Sequence, residues 1–151
     1  MDHIPPNPGP SLRRTERSLP IALLRARETV MGPVREMLHQ SPVNEQKWRV
    51  LRVLAEAGPM ELTQLAAAAC LQAPSLTRIM RTMDEDGLVS RATDPVDRRK
   101  AIVTISEAGR QVITDHVAQS NAIFARLAAL YGKDKLETLL DLLDDLRLIK
   151  L

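Results

Sequence analysis

Leu88-Val-Ser-Arg-Ala-Thr-Asp-Pro-Val-Asp-Arg-Arg-Lys-Ala-Ile-Val-Thr-Ile105 is the stretch that decides the fold of this chain. Two β-type runs, residues 88–91 and 101–105, flank a turn that carries Asp94-Pro95 and then three consecutive cations, Arg98, Arg99 and Lys100. A hairpin that points such a cluster into solvent adds little to a core, so its charges call for a partner outside the protein. Asp94 and Asp97 are the residues expected to shape this wing. Asp97 can hold one arginine in place while Arg98 or Arg99 enters a minor groove or meets phosphate.

Working upstream, Pro74 opens a short helix that runs to about Asp86 and stops at Gly87, where a left-handed conformation is cheap. Leu76, Ile79, Met80 and Met83 recur at i, i+3, i+4 and i+7 and so face a core. Ser75, Thr77, Arg78, Arg81 and Thr82 are left outward or lateral. Thr77, Arg78 and Arg81 have the chemistry to reach base edges and phosphates in a major groove, and arginine can bridge guanine O6 and N7. Ser75, near the positive end of the helix dipole, suits a phosphate. A third helix, residues 61–71, lies only a few residues before, as a helix-turn-helix requires. Each arginine alone would read as solvated surface. Helix-turn-helix and basic hairpin together read as a winged helix that grips duplex DNA.

The rest of the chain is helical. Residues 1–17 carry Pro and Arg without periodicity and are expected to form a flexible arm. From Ser18 to about Gln40, apolar residues at Leu19, Leu23, Ala26, Val30, Val34 and Met37 make an amphipathic helix, with Gly32-Pro33 expected to kink or weaken it. Asn44 caps a second helix to about Ala57 in which Trp48, Leu51 and Leu54 share a face. Ser106 with Glu107 starts a long helix to about Tyr131, and a leucine-rich last helix covers about 133–150. The expected order is α-α-α-α-β-β-α-α, a mostly α (α+β) winged helix-turn-helix. The expected organisation is a lobe at 41–105 with helical segments at 18–40 and 106–151.

Composition sets limits on function. The 151 residues carry a net charge of only +2, so attraction to a polyanion must be local. Residues 78–100 hold six Arg/Lys against five Asp/Glu, with the acids gathered at 84–86 and the bases at 98–100. Trp48, Phe124 and Tyr131 are the only aromatics, which argues against binders that stack several bases. No apolar run approaches the ~20 residues of a membrane span. Together with a single cysteine, Cys70, this points to the cytoplasm. His3, His39 and His116 share no ligand spacing with Cys70, so no metal or other cofactor is expected. No nucleophile elbow, phosphate loop or close carboxylate pair suggests an enzyme.

The segments Leu65-Ala-Ala-Ala-Ala, Pro74-Ser-Leu-Thr-Arg, Met83-Asp-Glu-Asp-Gly-Leu-Val and Asp94-Pro-Val-Asp-Arg-Arg-Lys resemble the helix-turn-helix and Asp/Arg-rich wing of the MarR family of regulators. The resemblance covers about residues 18–150. It implies a homodimer on a pseudo-palindromic duplex operator, acting as a repressor, with 18–40 and 106–151 as dimerisation helices. Such a dimer needs apolar helices that one subunit cannot bury, and the first and last helices supply them. Ile21-Ala-Leu-Leu-Arg-Ala-Arg-Glu, Glu45-Gln-Lys-Trp-Arg-Val and Ala69-Cys-Leu-Gln-Ala-Pro-Ser-Leu-Thr resemble the branch that governs aromatic-acid catabolism. That implies release by a small aromatic carboxylate such as 4-hydroxyphenylacetate or homoprotocatechuate.

In this family the effector usually lies between the dimerisation helices and the DNA-binding lobe, and a buried carboxylate there needs a cation. Arg25 and Arg27 are the candidates, with Trp48 as an apolar wall and His39 facing a phenol oxygen. Each has an ordinary alternative: Arg27 can pair with Glu28 or with acids near Glu45, Trp48 can be a core anchor, and His39 can lie in solvent. Cys70, between Ala69 and Leu71, reads as a small core residue. Two rival functions remain: a redox-switched regulator would lose its response on Cys70→Ser, and a protein-interaction module would show no salt-dependent DNA binding.

Overall fold

The computed structural model describes residues 11–151, in two compact units divided between Gly32 and Pro33. The expected arm at 1–17 lies outside the described residues up to residue 10. Within the described part of that segment Thr15–Arg17 form a 3-10 turn. Helix α1, Leu19–Leu38, begins in the first unit, and Leu19, Leu23 and Leu24 there are exposed. Pro33 lies inside the helix, so the Gly32-Pro33 dipeptide marks the division between units without ending the element.

The second unit is built on α2, Glu45–Ala57. The Asn44 side chain accepts the Lys47 N–H at 3.0 Å, satisfying one of the orphan donors of the first turn. Leu51, Leu54 and Val50 have no exposed surface, and each leucine contributes about 1.5–3 kcal/mol by leaving water. Strand β1, Met60–Glu61, then pairs antiparallel with β3, Ala101–Ile105, setting Met60 against Val103. This short strand is an addition to the expected α-α-α-α-β-β-α-α order, which the chain otherwise follows, and two residues are too few to show an alternation. The sheet has three strands in the order β1-β3-β2, with β2 at Val89–Thr93.

Helix α3 covers Leu62–Ala68, shorter than the expected 61–71. Its end explains why: the Leu71 N–H reaches Ala66 O and the Cys70 N–H reaches Ala67 O, closing a Schellman motif. Cys70 occupies the left-handed position with φ 53° and is exposed. The expectation of a buried core cysteine is therefore corrected: the chain turns too tightly there to bury the side chain.

Helix α4, Ala73–Glu85, ends in a second Schellman motif, with the Leu88 N–H on Met83 O and Gly87 at φ 72°. Leu76, Ile79, Met80 and Met83 are all buried, as their spacing requires. Leu88, the residue after the glycine, is buried too, so the strand leaves the helix already committed to the core. In the hairpin Val89 faces Ile105 and Thr93 faces Ala101. Ser106 joins hairpin to helix: its hydroxyl donates to Gly87 O and accepts the Gly109 N–H, capping α5, Glu107–Tyr131. After Gly132, α6 runs Lys133–Arg147 without a single buried residue.

Candidate nucleic-acid interface

One face of α4 is spent on the core, and what remains is polar. Thr77, Arg78 and Arg81 are exposed, and Ser75 and Thr82 are half-buried. The Thr82 hydroxyl donates to the Arg78 backbone carbonyl at 3.1 Å, so it is spent on the helix itself. Next to it, Arg91 Nη2 on β2 lies 3.5 Å from Asp84 Oδ2 on α4. That pair links the end of the helix to the base of the wing.

The wing owes its shape to two carboxylates. Asp94 Oδ1 accepts the Val96 N–H at 2.8 Å, forming an Asx turn ahead of the tip. The Asp94 N–H donates to Lys100 O and the Lys100 N–H to Asp97 O, which closes the loop across its neck. Asp97 Oδ1 accepts both the backbone N–H and Nε of Arg99 at 3.1 Å, and Oδ2 accepts Nη2 at 3.3 Å. Arg99 is thus the arginine that Asp97 holds, by a two-pronged contact. The Arg99 side-chain bonds first, and its backbone N–H second, pull the Asp97 carboxyl below its ordinary value. Arg98 and Lys100 stand exposed beside the pair.

The expected effector residues are placed differently from the DNA set. Arg25 and Arg27 are exposed in the first unit, and Arg27 Nη1 lies 4.0 Å from Glu28 Oε1. Trp48 is only 5% exposed and meets His116 edge-to-face at 5.8 Å between centroids, so it is a core anchor with a ring partner. His116 Nδ1 is 2.8 Å from Val112 O. Sequence reading missed this histidine, because nothing local tells that α5 brings it to Trp48. His39 is exposed beside an open cleft of about 480 Å³ that Arg35, Asn44, Glu45 and Lys47 also line. A further cation that sequence reading passed over, Arg49, donates through Nε to Ala69 O at 2.9 Å. Only its i,i+4 spacing from Glu45 was visible in advance. Among the described residues no group of three His, Cys, Asp or Glu is placed to hold a metal ion.

The sequence pattern of the MarR family matches residues 43–101, which holds the helix-turn-helix and most of the wing. The homoprotocatechuate degradative operon repressor of Escherichia coli is 35% identical over 128 residues, 85% of this chain and 86% of the relative. The chain belongs to the MarR family. It is therefore a winged-helix transcription regulator that acts on duplex DNA as a dimer, not an enzyme. The solved structure of transcriptional regulator PA4135 is 38% identical with a TM-score of 0.82, covering 89% of this chain and 98% of that one. The structure of NadR in complex with 4-hydroxyphenylacetate is 30% identical with a TM-score of 0.80, covering 93% and 99%. Among the described residues no helix is long and apolar enough to cross a membrane.

Proposed function

We propose that this MarR-family regulator represses an operon for catabolism of an aromatic acid and leaves its operator when a small aromatic carboxylate binds. The observation that carries the DNA half is the pairing of an exposed Thr77/Arg78/Arg81 face with a wing that is shaped by Asp94 and Asp97 and carries Arg98, Arg99 and Lys100. In this reading the helix enters the major groove, Ser75 meets a phosphate and the wing lies on the flanking backbone or minor groove. The dimer forms through 18–40 and 106–151, and the lobe at 41–105 holds the DNA.

The effector half is supported by the repressor of homoprotocatechuate degradation and by NadR, which was solved with 4-hydroxyphenylacetate. Arg25 and Arg27 are proposed to meet the carboxylate and His39 a phenol oxygen, while the buried Trp48 stays in the core. Ligand binding would favour a spacing of the two recognition helices that no longer fits adjacent major grooves.

The test is binding of the purified chain to the duplex upstream of its own gene, titrated with salt and with 4-hydroxyphenylacetate or homoprotocatechuate. Affinity should fall on the order of a thousandfold between 50 and 200 mM salt, as six or more phosphate contacts require. Either acid should weaken it further. Binding that neither acid weakens would remove the effector assignment, and no binding at low salt would remove the DNA assignment. The exposed Cys70 favours one alternative, a redox switch, and Cys70→Ser separates the two: the aromatic-acid response should survive it.

A further inference from the structure

Arg49 stands where three pieces of the second unit meet. From α2 its Nε donates to the carbonyl of Ala69 at 2.9 Å, and its Nη1 donates to Glu45 Oε1, one turn back, at 3.1 Å. The other oxygen of Glu45, Oε2, lies 3.6 Å from Nη1 of Arg35 near the end of α1. The Glu45 side chain is only 15% exposed, so solvent screens these pairs less than it does the wing ion pair.

The carbonyl at the end of this chain of contacts matters. Ala69 caps α3, and the Ala66 and Ala67 carbonyls are already taken by Leu71 and Cys70. Ala69 O, by contrast, receives its hydrogen bond from the guanidinium on α2. It also immediately precedes Cys70, whose left-handed backbone starts the turn into α4. The peptide that Arg49 grips is thus the one from which the chain turns towards α4.

We propose that Arg49, aimed by Glu45, is a positioning residue that sets how the recognition helix leaves the helix-turn-helix, and that the Glu45–Arg35 pair ties this setting to the last turns of α1. The assignment rests on the DNA-binding reading and deepens it. A guanidinium is needed because its planar fork serves the carbonyl and the carboxylate at once, whereas an ammonium on a flexible stem serves one at a time. Arg49→Lys therefore keeps the charge and loses the two-way grip. Glu45→Gln keeps the shape and loses the charge that aims the fork.

The experiment compares the intact chain with Arg49→Lys and Glu45→Gln on two duplexes, the DNA upstream of its own gene and a shuffled duplex of equal length and composition. It also follows alkylation of Cys70 by iodoacetamide as a local reporter of the turn. Arg49→Lys should lose about tenfold on the upstream duplex, the cost of one hydrogen bond from a charged donor, and less than about twofold on the shuffled one. Cys70 should be alkylated faster in it. Glu45→Gln removes a negative charge, which favours DNA in general, so a selective loss on the upstream duplex in that variant counts in support. Equal losses on both duplexes, or unchanged affinity with unchanged alkylation, would overturn the assignment. If Arg49→Lys does not fold, Glu45→Gln decides by the same criteria. A wild-type chain that binds neither duplex takes down the regulator reading and this assignment with it, whereas unaltered variants beside a binding wild type overturn this assignment alone.

Discussion

Asp97 and Arg99 show how little a residue pair needs to contribute to stability in order to matter for recognition. The side chain of Arg99 is 91% exposed, and an ion pair so open to water adds little to stability. What it supplies is orientation, a guanidinium held at one angle on a loop already closed by Asp94 and Lys100. Asp97→Asn keeps an acceptor for the Arg99 N–H but loses the charge that captures the fork. The variant should fold normally and bind the upstream duplex a few-fold more weakly, about what an exposed pair is worth. The pH dependence follows from the depressed Asp97 carboxyl. Its contribution is fully present above the ordinary 3.8 and is lost as pH falls through the lower folded value. Carbon-detected titration of the Asp97 carboxyl checks this, and a midpoint at or above 3.8 would show that Arg99 is not held. At this scale the sequence was readable where partners are near neighbours, as with Asp97 and Arg99. It was unreadable at Cys70, whose left-handed backbone is set by how α3 ends, and at Trp48, whose ring partner His116 is far along the chain.

Elements meet at Gly109, in the first turn of α5. A Cβ there would press on the Leu88 carbonyl and come within 2.8 Å of Ile105 Cγ1 and 3.2 Å of Leu51 Cδ2. Helix propensity alone says Gly109→Ala should gain about 0.5–1 kcal/mol. The backbone carbonyl cannot retreat without breaking its bond from the Ser106 N–H, so overpacking, at about 1–3 kcal/mol, outweighs that gain. Thermal denaturation of the variant should show a melting point lower by several degrees. An unchanged or raised melting point would mean that α5 can shift away from the hairpin. The elements themselves were largely legible in the sequence. Periodicity placed the buried face of α4, Asn44 and Ser106 announced two helix starts, and Gly87 one end. Strand β1 was hidden because its existence depends on β3, more than forty residues on. The shortened α3 was hidden because its cap uses Cys70 where a glycine would have signalled the stop.

For the whole molecule the question is what covers α6. Leu139, Leu140, Leu142, Leu143, Leu146 and Ile149 all lie exposed on or just past a helix with no buried residue, too much apolar surface for one helix to leave in water. A second copy of the chain is the partner that the family's dimeric mode of binding supplies, and a stable dimer buries on the order of 1,200–2,000 Å². Leu142 is the informative position, because at 60% exposure it contributes little to the subunit's own core. Leu142→Glu should therefore leave helix content intact while burying an unpaired charge in any interface built on α6. Sedimentation at micromolar concentration should shift from a dimer towards the 16.8 kDa single chain. Affinity for the upstream duplex should fall by a hundredfold or so, because two linked half-site contacts become two separate ones. A variant that still sediments as a dimer would place the interface elsewhere. A monomeric variant with full affinity would mean that one winged helix suffices for the operator.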